Sequence, residues 1–92
     1  MSVFITVKIK GDHARLFAAY DRIADYEEAN VPELGCHVCA RTEDGMLVSG
    51  TWESRDAFEQ LMASAAFQKI LADANLPDAP QIEIHEIYRS RH

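Results

Sequence analysis

The chain has 92 residues, 48% of them apolar, with nine Lys and Arg against fifteen Asp and Glu for a net charge of −6. That length suits one domain, residues 1–92, whose thin core removes about 60–65% of the unfolded surface from water. The negative balance argues against nucleic acid or an anionic membrane as partner, since both reward clustered Lys and Arg. No apolar run nears the ~20 residues of a membrane span and no signal peptide precedes Val3, so a cytoplasmic protein is expected.

Val3, Ile5, Val7 and Ile9 alternate with Phe4, Thr6, Lys8 and Lys10, the period of a strand with one face buried. Gly11-Asp12 turns the chain, and Asp12 is placed to cap a helix whose apolar stripe is Leu16, Phe17, Tyr20, Ile23 and Ala24. Glu27 continues that row, so the apolar face fades before Val31-Pro32, and the run Asp25-Tyr26-Glu27-Glu28 reads as a solvated helix end. A second strand is expected from Leu34 to Arg41, with Leu34, Cys36, Val38 and Ala40 on one face and Gly35, His37, Cys39 and Arg41 on the other. Glu43-Asp44-Gly45 is a hairpin turn, with Gly45 at a positive-φ position, and Met46 to Trp52 form the third strand.

Ser54 is an N-cap and Asp56 an acid in the first turn of the next helix. Phe58, Leu61, Met62 and Ala65 make a stripe at helical spacing, and Phe67, Ile70, Leu71 and Ala74 make another, displaced by two residues. A single helix would need Lys69 in the apolar row, so two short helices are predicted, with a break near 63–66 and Ser64 capping the second. Asn75 and Pro77 end it. After the stiff connector Pro77-Asp78-Ala79-Pro80, a fourth strand carries Ile82 and Ile84, with Ile87 out of phase, so apolar groups are expected on both of its faces.

The order β-α-β-β-α-β is the ferredoxin-like α+β plan: a four-stranded antiparallel sheet with helices on one face. The other face is expected to remain apolar, and an exposed apolar sheet invites a second copy of the chain, giving a homodimer. Cys36 and Cys39 form a lone C-x-x-C. Three residues along a strand span ~10 Å and point to opposite faces, which exceeds the reach of a disulfide, and no second ligand pair completes a metal site. Both are read as ordinary strand residues.

Leu34-Gly35-Cys36, Gly50-Thr51-Trp52-Glu53-Ser54, Ala57-Phe58, Met62-Ala63-Ser64 and Phe67, closed by the strand from Ile82 to Tyr88, resemble the dimeric α+β barrel proteins of the antibiotic-biosynthesis-monooxygenase type. The resemblance runs from Val3 over nearly the whole chain. It implies a pocket between sheet and helices, wide enough for a polycyclic or haem-like ligand, lined here by Trp52, Phe58, Leu61, Ala66 and Leu71. It also implies oxygenation of an aromatic, quinol or polyketide-like compound with no metal or flavin cofactor. The chain departs from the family at Leu61 and Ala66, where members often carry polar residues. The Asn, Trp and His trio of the haem-degrading branch falls on Phe4 or Ile5, Leu61 and Leu71, so haem degradation is not expected.

The residues able to do proton chemistry are His37, His85 and Tyr20. His37 and His85 lie on opposite edge strands, where a histidine is commonly structural but titrates near neutrality and can act as base. Tyr20 lies in the first helix's buried stripe, His13 sits in its first turn, and Arg41 reads as a surface charge. Three functions remain open: a cofactor-independent monooxygenase, a non-catalytic homodimer that binds a small molecule on the same scaffold, or an oligomerisation or ligand-sensing domain acting with a partner protein.

Overall fold

The alternation of β-branched and polar residues at the start of the chain makes a strand that becomes the inner member of a sheet. In the computed structural model, which describes residues 2–30, 35–74 and 79–90, the elements are β1 (Val3–Lys10), α1 (His13–Asn30), β2 (His37–Thr42), β3 (Gly45–Trp52), α2 (Arg55–Ala63), α3 (Ala65–Ala74) and β4 (Gln81–Glu86). The sheet is antiparallel throughout, in the order β2-β3-β1-β4. This is the expected ferredoxin-like α+β plan. The expected ends at Val31-Pro32 and Asn75-Pro77, and Leu34 at the head of β2, lie outside the described residues; within them β2 begins at His37.

Each helix starts where a side chain satisfies its orphan N–H groups. The Arg15 N–H donates to Asp12 Oδ2 at 3.1 Å, and the Ala57 N–H to Ser54 Oγ at 3.1 Å. Ser64 serves both sides of the break: its hydroxyl donates to the Leu61 carbonyl at 2.8 Å and accepts from the Phe67 N–H at 3.2 Å. The displaced stripe therefore corresponds to a real joint between α2 and α3.

The core has two parts. Leu16 of α1, 0% exposed, packs with Ile9 and Met46. Phe58 and Leu61 of α2 and Phe67 of α3 pack with Val3, Ile5 and Trp52. Full burial of such a side chain contributes about 1.5–3 kcal/mol, so these two clusters hold the helices on the sheet.

Cross-strand register assigns every strand residue to a face. Ile5 stands opposite Gly50 and Ile84, and Gly50 opposite His37, all toward the helices. Val7, Val48, Ile82 and Cys39 share that face. The opposite face therefore differs from expectation. It carries Phe4 (39% exposed), Val38 (51% exposed), Leu47 and Ala40, interspersed with Thr6, Ser49, Thr51 and Lys8. Its apolar area is a patch of four side chains, while Ile5, Ile9, Ile82, Ile84 and Cys39 lie on the helix side. β4 is likewise corrected: Ile82 and Ile84 face one way and the exposed Gln81, Glu83 and His85 the other, while Ile87 lies past the strand.

Gly45 is also not a positive-φ turn residue; among the described residues the only glycine with positive φ is Gly11. Glu43 and Asp44 make the turn, and Gly45 opens β3 against the backbone of β1. A Cβ there would run into the Ile9 carbonyl and come within 2.8 Å of Lys10 Cα, so close strand packing excludes a side chain.

Candidate functional site

Between the helix layer and the sheet lies a cavity of about 100 Å³. Its floor is Ile5, Val7 and Ile9 of β1 with Met46, Val48 and Gly50 of β3; α1 covers it with Tyr20 and Ile23, α2 with Phe58 and Met62, and α3 with Leu71. Trp52, Glu27 and His37 close one end.

His37 is held there by register and by the absence of a side chain opposite. It stands across from Gly50, and a Cβ on Gly50 would lie 2.5 Å from His37 Cδ2 and 2.7 Å from Nε2, so only glycine lets the ring rest on the sheet. The ring meets Trp52 edge-on at 5.4 Å between centroids, and Trp52 meets Phe58 in the same way at 5.4 Å. These aromatic contacts fix the orientation of both Trp52 and His37.

Glu27 reaches the same place from α1. It lies eleven residues after Leu16 and seven after Tyr20, on the stripe that faces the sheet, and is 7% exposed. The expectation of a solvated acidic helix end fails at this residue, although Asp25 and Glu28 are exposed. Its Oε2 stands 3.8 Å from His37 Nδ1, outside hydrogen-bonding distance. Among the described residues, the buried side-chain polar atoms without a partner are Glu27 Oε2 and His37 Nε2. Unpartnered buried atoms of this kind cost free energy, and both belong to residues that line this cavity.

Burial governs the protonation of both. It pushes the Glu27 carboxyl up to about 7 and the His37 imidazole below its ordinary value, each toward its uncharged form. Burial also raises the Tyr20 hydroxyl, with the charges of Cys39 and Glu27 adding to it. The Cys39 thiol is raised by burial and then by Asp21.

The other expected site residues fall in varied places. Trp52, Phe58 and Leu71 border the cavity, as does Tyr20. Leu61 is buried in the core cluster beside it, and Ala66 is exposed. His85 stands opposite Phe4, on the face away from the helices, where its Nε2 is 3.4 Å from Glu83 Oε2 and both side chains are exposed. The structure brings His37 and Tyr20 to one cavity and leaves His85 across the sheet. His13 is structural: its Nε2–H donates to the Thr42 carbonyl at 2.7 Å and its ring stacks on Phe17, tying α1 to the β2–β3 hairpin. Cys36 and Cys39 are free thiols, and among the described residues no three His, Cys, Asp or Glu side chains cluster as metal ligands. No described helix is long and apolar enough to cross a membrane. A larger depression of about 720 Å³ beside Thr51, Glu53 and Arg89 is open to solvent and holds neither of the unpartnered buried atoms.

No family model and no curated protein matches the sequence. Solved structures do. A Caulobacter crescentus CB15 protein provisionally classed as an antibiotic biosynthesis monooxygenase superposes with a TM-score of 0.79 at 19% identity, over 96% of this chain and 91% of that one. SnoaB, a cofactor-independent oxygenase from Streptomyces nogalater, superposes as its N63A mutant with a TM-score of 0.75 at 17% identity, over 97% and 94%. A dimeric ferredoxin-like protein from Jannaschia sp. CCS1 gives 0.71 at 13% identity, over 95% and 100%. The chain thus shares the ferredoxin-like fold of these proteins.

Proposed function

We propose that the chain is a cofactor-independent monooxygenase acting on a small hydroxylated aromatic compound, with His37 as the base. The observation that carries this reading is the unpartnered His37 Nε2 at the wall of an apolar cavity. A phenol placed there gives up its proton, and the electron-rich phenolate passes an electron to dioxygen in a site that excludes water. For a phenol with a free para position the sum is phenol plus O₂ giving quinone plus water, with no other reductant. The protein supplies deprotonation, orientation and desolvation. SnoaB, on the same fold, is a cofactor-independent oxygenase.

The cavity sets the size of the substrate. At about 100 Å³ it is smaller than the roughly 150 Å³ that accepts benzene, so a single ring is the upper bound and enters with some outward shift of the walls. A polycyclic or haem-like ligand needs more room than this.

The working unit is a homodimer, with a second copy covering Phe4, Val38, Ala40 and Leu47 on the open face. The dimeric ferredoxin-like Jannaschia protein supports that assembly. A second reading, a non-catalytic homodimeric binding protein, is favoured by the apolar side chains of Met62 and Leu71 in the cavity roof. Oxygen uptake with single-ring phenols and hydroquinones separates the two. Turnover that falls at least tenfold in His37→Ala but persists in His85→Ala supports the enzyme; saturable binding with no oxygen consumed supports the second reading. Sedimentation at micromolar concentration tests the dimer.

A further inference from the structure

This inference rests on the reading of the helix–sheet cavity as a site for a hydroxylated aromatic. We propose that Glu27 is the terminus of a proton relay: a phenol bound at His37 gives its proton to Nε2, the Nδ1 proton passes to Glu27 Oε2, and the ligand remains as phenolate.

The geometry sets the His37 ring against Glu27 through one nitrogen and leaves its other nitrogen for a ligand. The two imidazole nitrogens lie on opposite sides of the ring. Nδ1 faces Glu27 Oε2 at 3.8 Å, while Nε2 lies over Gly50 with no partner. Glu27 Oε2 is itself buried and unpartnered, and the Glu27 side chain is 9% exposed. At 3.8 Å the pair is looser than a hydrogen bond, and a ligand that bonds Nε2 would draw it together.

The step balances. Above about pH 7 it begins with the Glu27 carboxylate, His37 protonated on Nδ1, and the phenol. The phenol O–H and Nδ1–H bonds break, the Nε2–H and Oε2–H bonds form, and the electron pair stays on the ligand oxygen. One negative charge is present before and after, and it moves from Glu27 to the ligand. Histidine acting alone would instead leave an imidazolium and a phenolate inside an apolar cavity, with the desolvation cost of both.

Glu27 is suited to accept because nothing holds its charge. A carboxylate gripped by several donors keeps its charge and only orients the ring. Glu27 Oε2 has no donor, and burial raises the carboxyl to about 7. The groups facing it leave the relay intact. From α1 comes Tyr20, and from β2 comes His37; burial holds both toward their neutral forms. Asp21 and Glu28 act on Tyr20 from exposed positions of α1. β1, β3, α2 and α3 present only uncharged side chains to the cavity.

The probe is 4-nitrophenol, a single-ring phenol that ionises near neutrality and whose phenolate is yellow. Slightly above neutrality, wild-type protein should bind it with a clear phenolate band. Glu27→Gln should bind it with a phenolate fraction roughly tenfold lower, one unit of apparent pKa. Glu27→Asp should recover part of the colour, and His85→Gln should match wild type. Circular dichroism confirms that each variant is folded. A merely electrostatic role for Glu27 moves the signal the other way, because removing a neighbouring negative charge eases phenolate formation. Equal or increased colour in Glu27→Gln overturns the relay while leaving the cavity as a binding site. No binding by wild type overturns both.

Discussion

The two edge strands each carry a histidine, and the two could hardly differ more in setting. His37 on β2 points into the helix–sheet cavity beside a buried carboxylate and a tryptophan. His85 on β4 points away from the helices, exposed beside Glu83. Both lie at the sheet's margins in strands of six residues, so edge position does not separate them. Parity does. His37 is in register with Gly50 and hence Ile5, whereas His85 is in register with Phe4, one residue earlier. Side chains alternate at period two, so that single step moves a titratable ring from an apolar interior to solvent.

Substitutions on the two faces test the contrast. Trp52→Ala, on the helix side, should cost about 3–5 kcal/mol. Phe4→Ala, on the open side, should cost roughly 1 kcal/mol in the isolated chain. Urea melts measure both, and a concentration-dependent increase in the Phe4 effect would report a second copy on that face.

Next in size is Glu27→Gln. The carboxyl titrates at about 7 in the folded chain against an ordinary 4.5. The folded state therefore holds its proton more tightly, and this contribution to stability is full below about 4.5 and is lost as pH rises to about 7. On the order of 3 kcal/mol is at stake. Glu27→Gln should remove that decline and leave the chain more stable than wild type above neutrality. His37 works in the opposite sense: its folded pKa lies below the ordinary 6.5, so it destabilises the fold as pH falls below that value. Thermal melts across pH should therefore show a decline on the acid side in Glu27→Gln that wild type masks.

Gly50→Ala should cost about 1–3 kcal/mol, because the added methyl must displace the His37 ring. It should also weaken the edge contact with Trp52, visible as altered tryptophan fluorescence. His85→Ala, with both neighbours exposed, should stay within about 0.5 kcal/mol of wild type.

Strand alternation, the three capping residues and the slipped apolar stripe were all readable from the amino acids, because each is a local rule that tertiary packing had no reason to override. The face assignment of the open side was less readable. Parity through the cross-strand pairs puts Ile5, Ile9, Ile82, Ile84 and Cys39 on the helix side, and that pairing is a tertiary fact. Glu27 was harder still. Its place on the row of Leu16, Tyr20 and Ile23 was visible, but three acids among Asp25, Tyr26, Glu27 and Glu28 suggested solvent by composition. Periodicity outranked composition there. The pairing of Glu27 with His37 depends on how α1 lies over β2, and no spacing in the chain encodes that distance.

Ser64 gives the roof of the cavity two independent panels. Since one hydroxyl closes α2 through Leu61 and opens α3 through Phe67, the rotational phase of α3 is set afresh after the joint instead of being inherited from α2. Met62 and Leu71 can thus be exchanged separately, each altering one wall. Loss of the serine would leave the Leu61 carbonyl and the Phe67 N–H without that hydroxyl. Such a joint lets the chamber be recut a wall at a time.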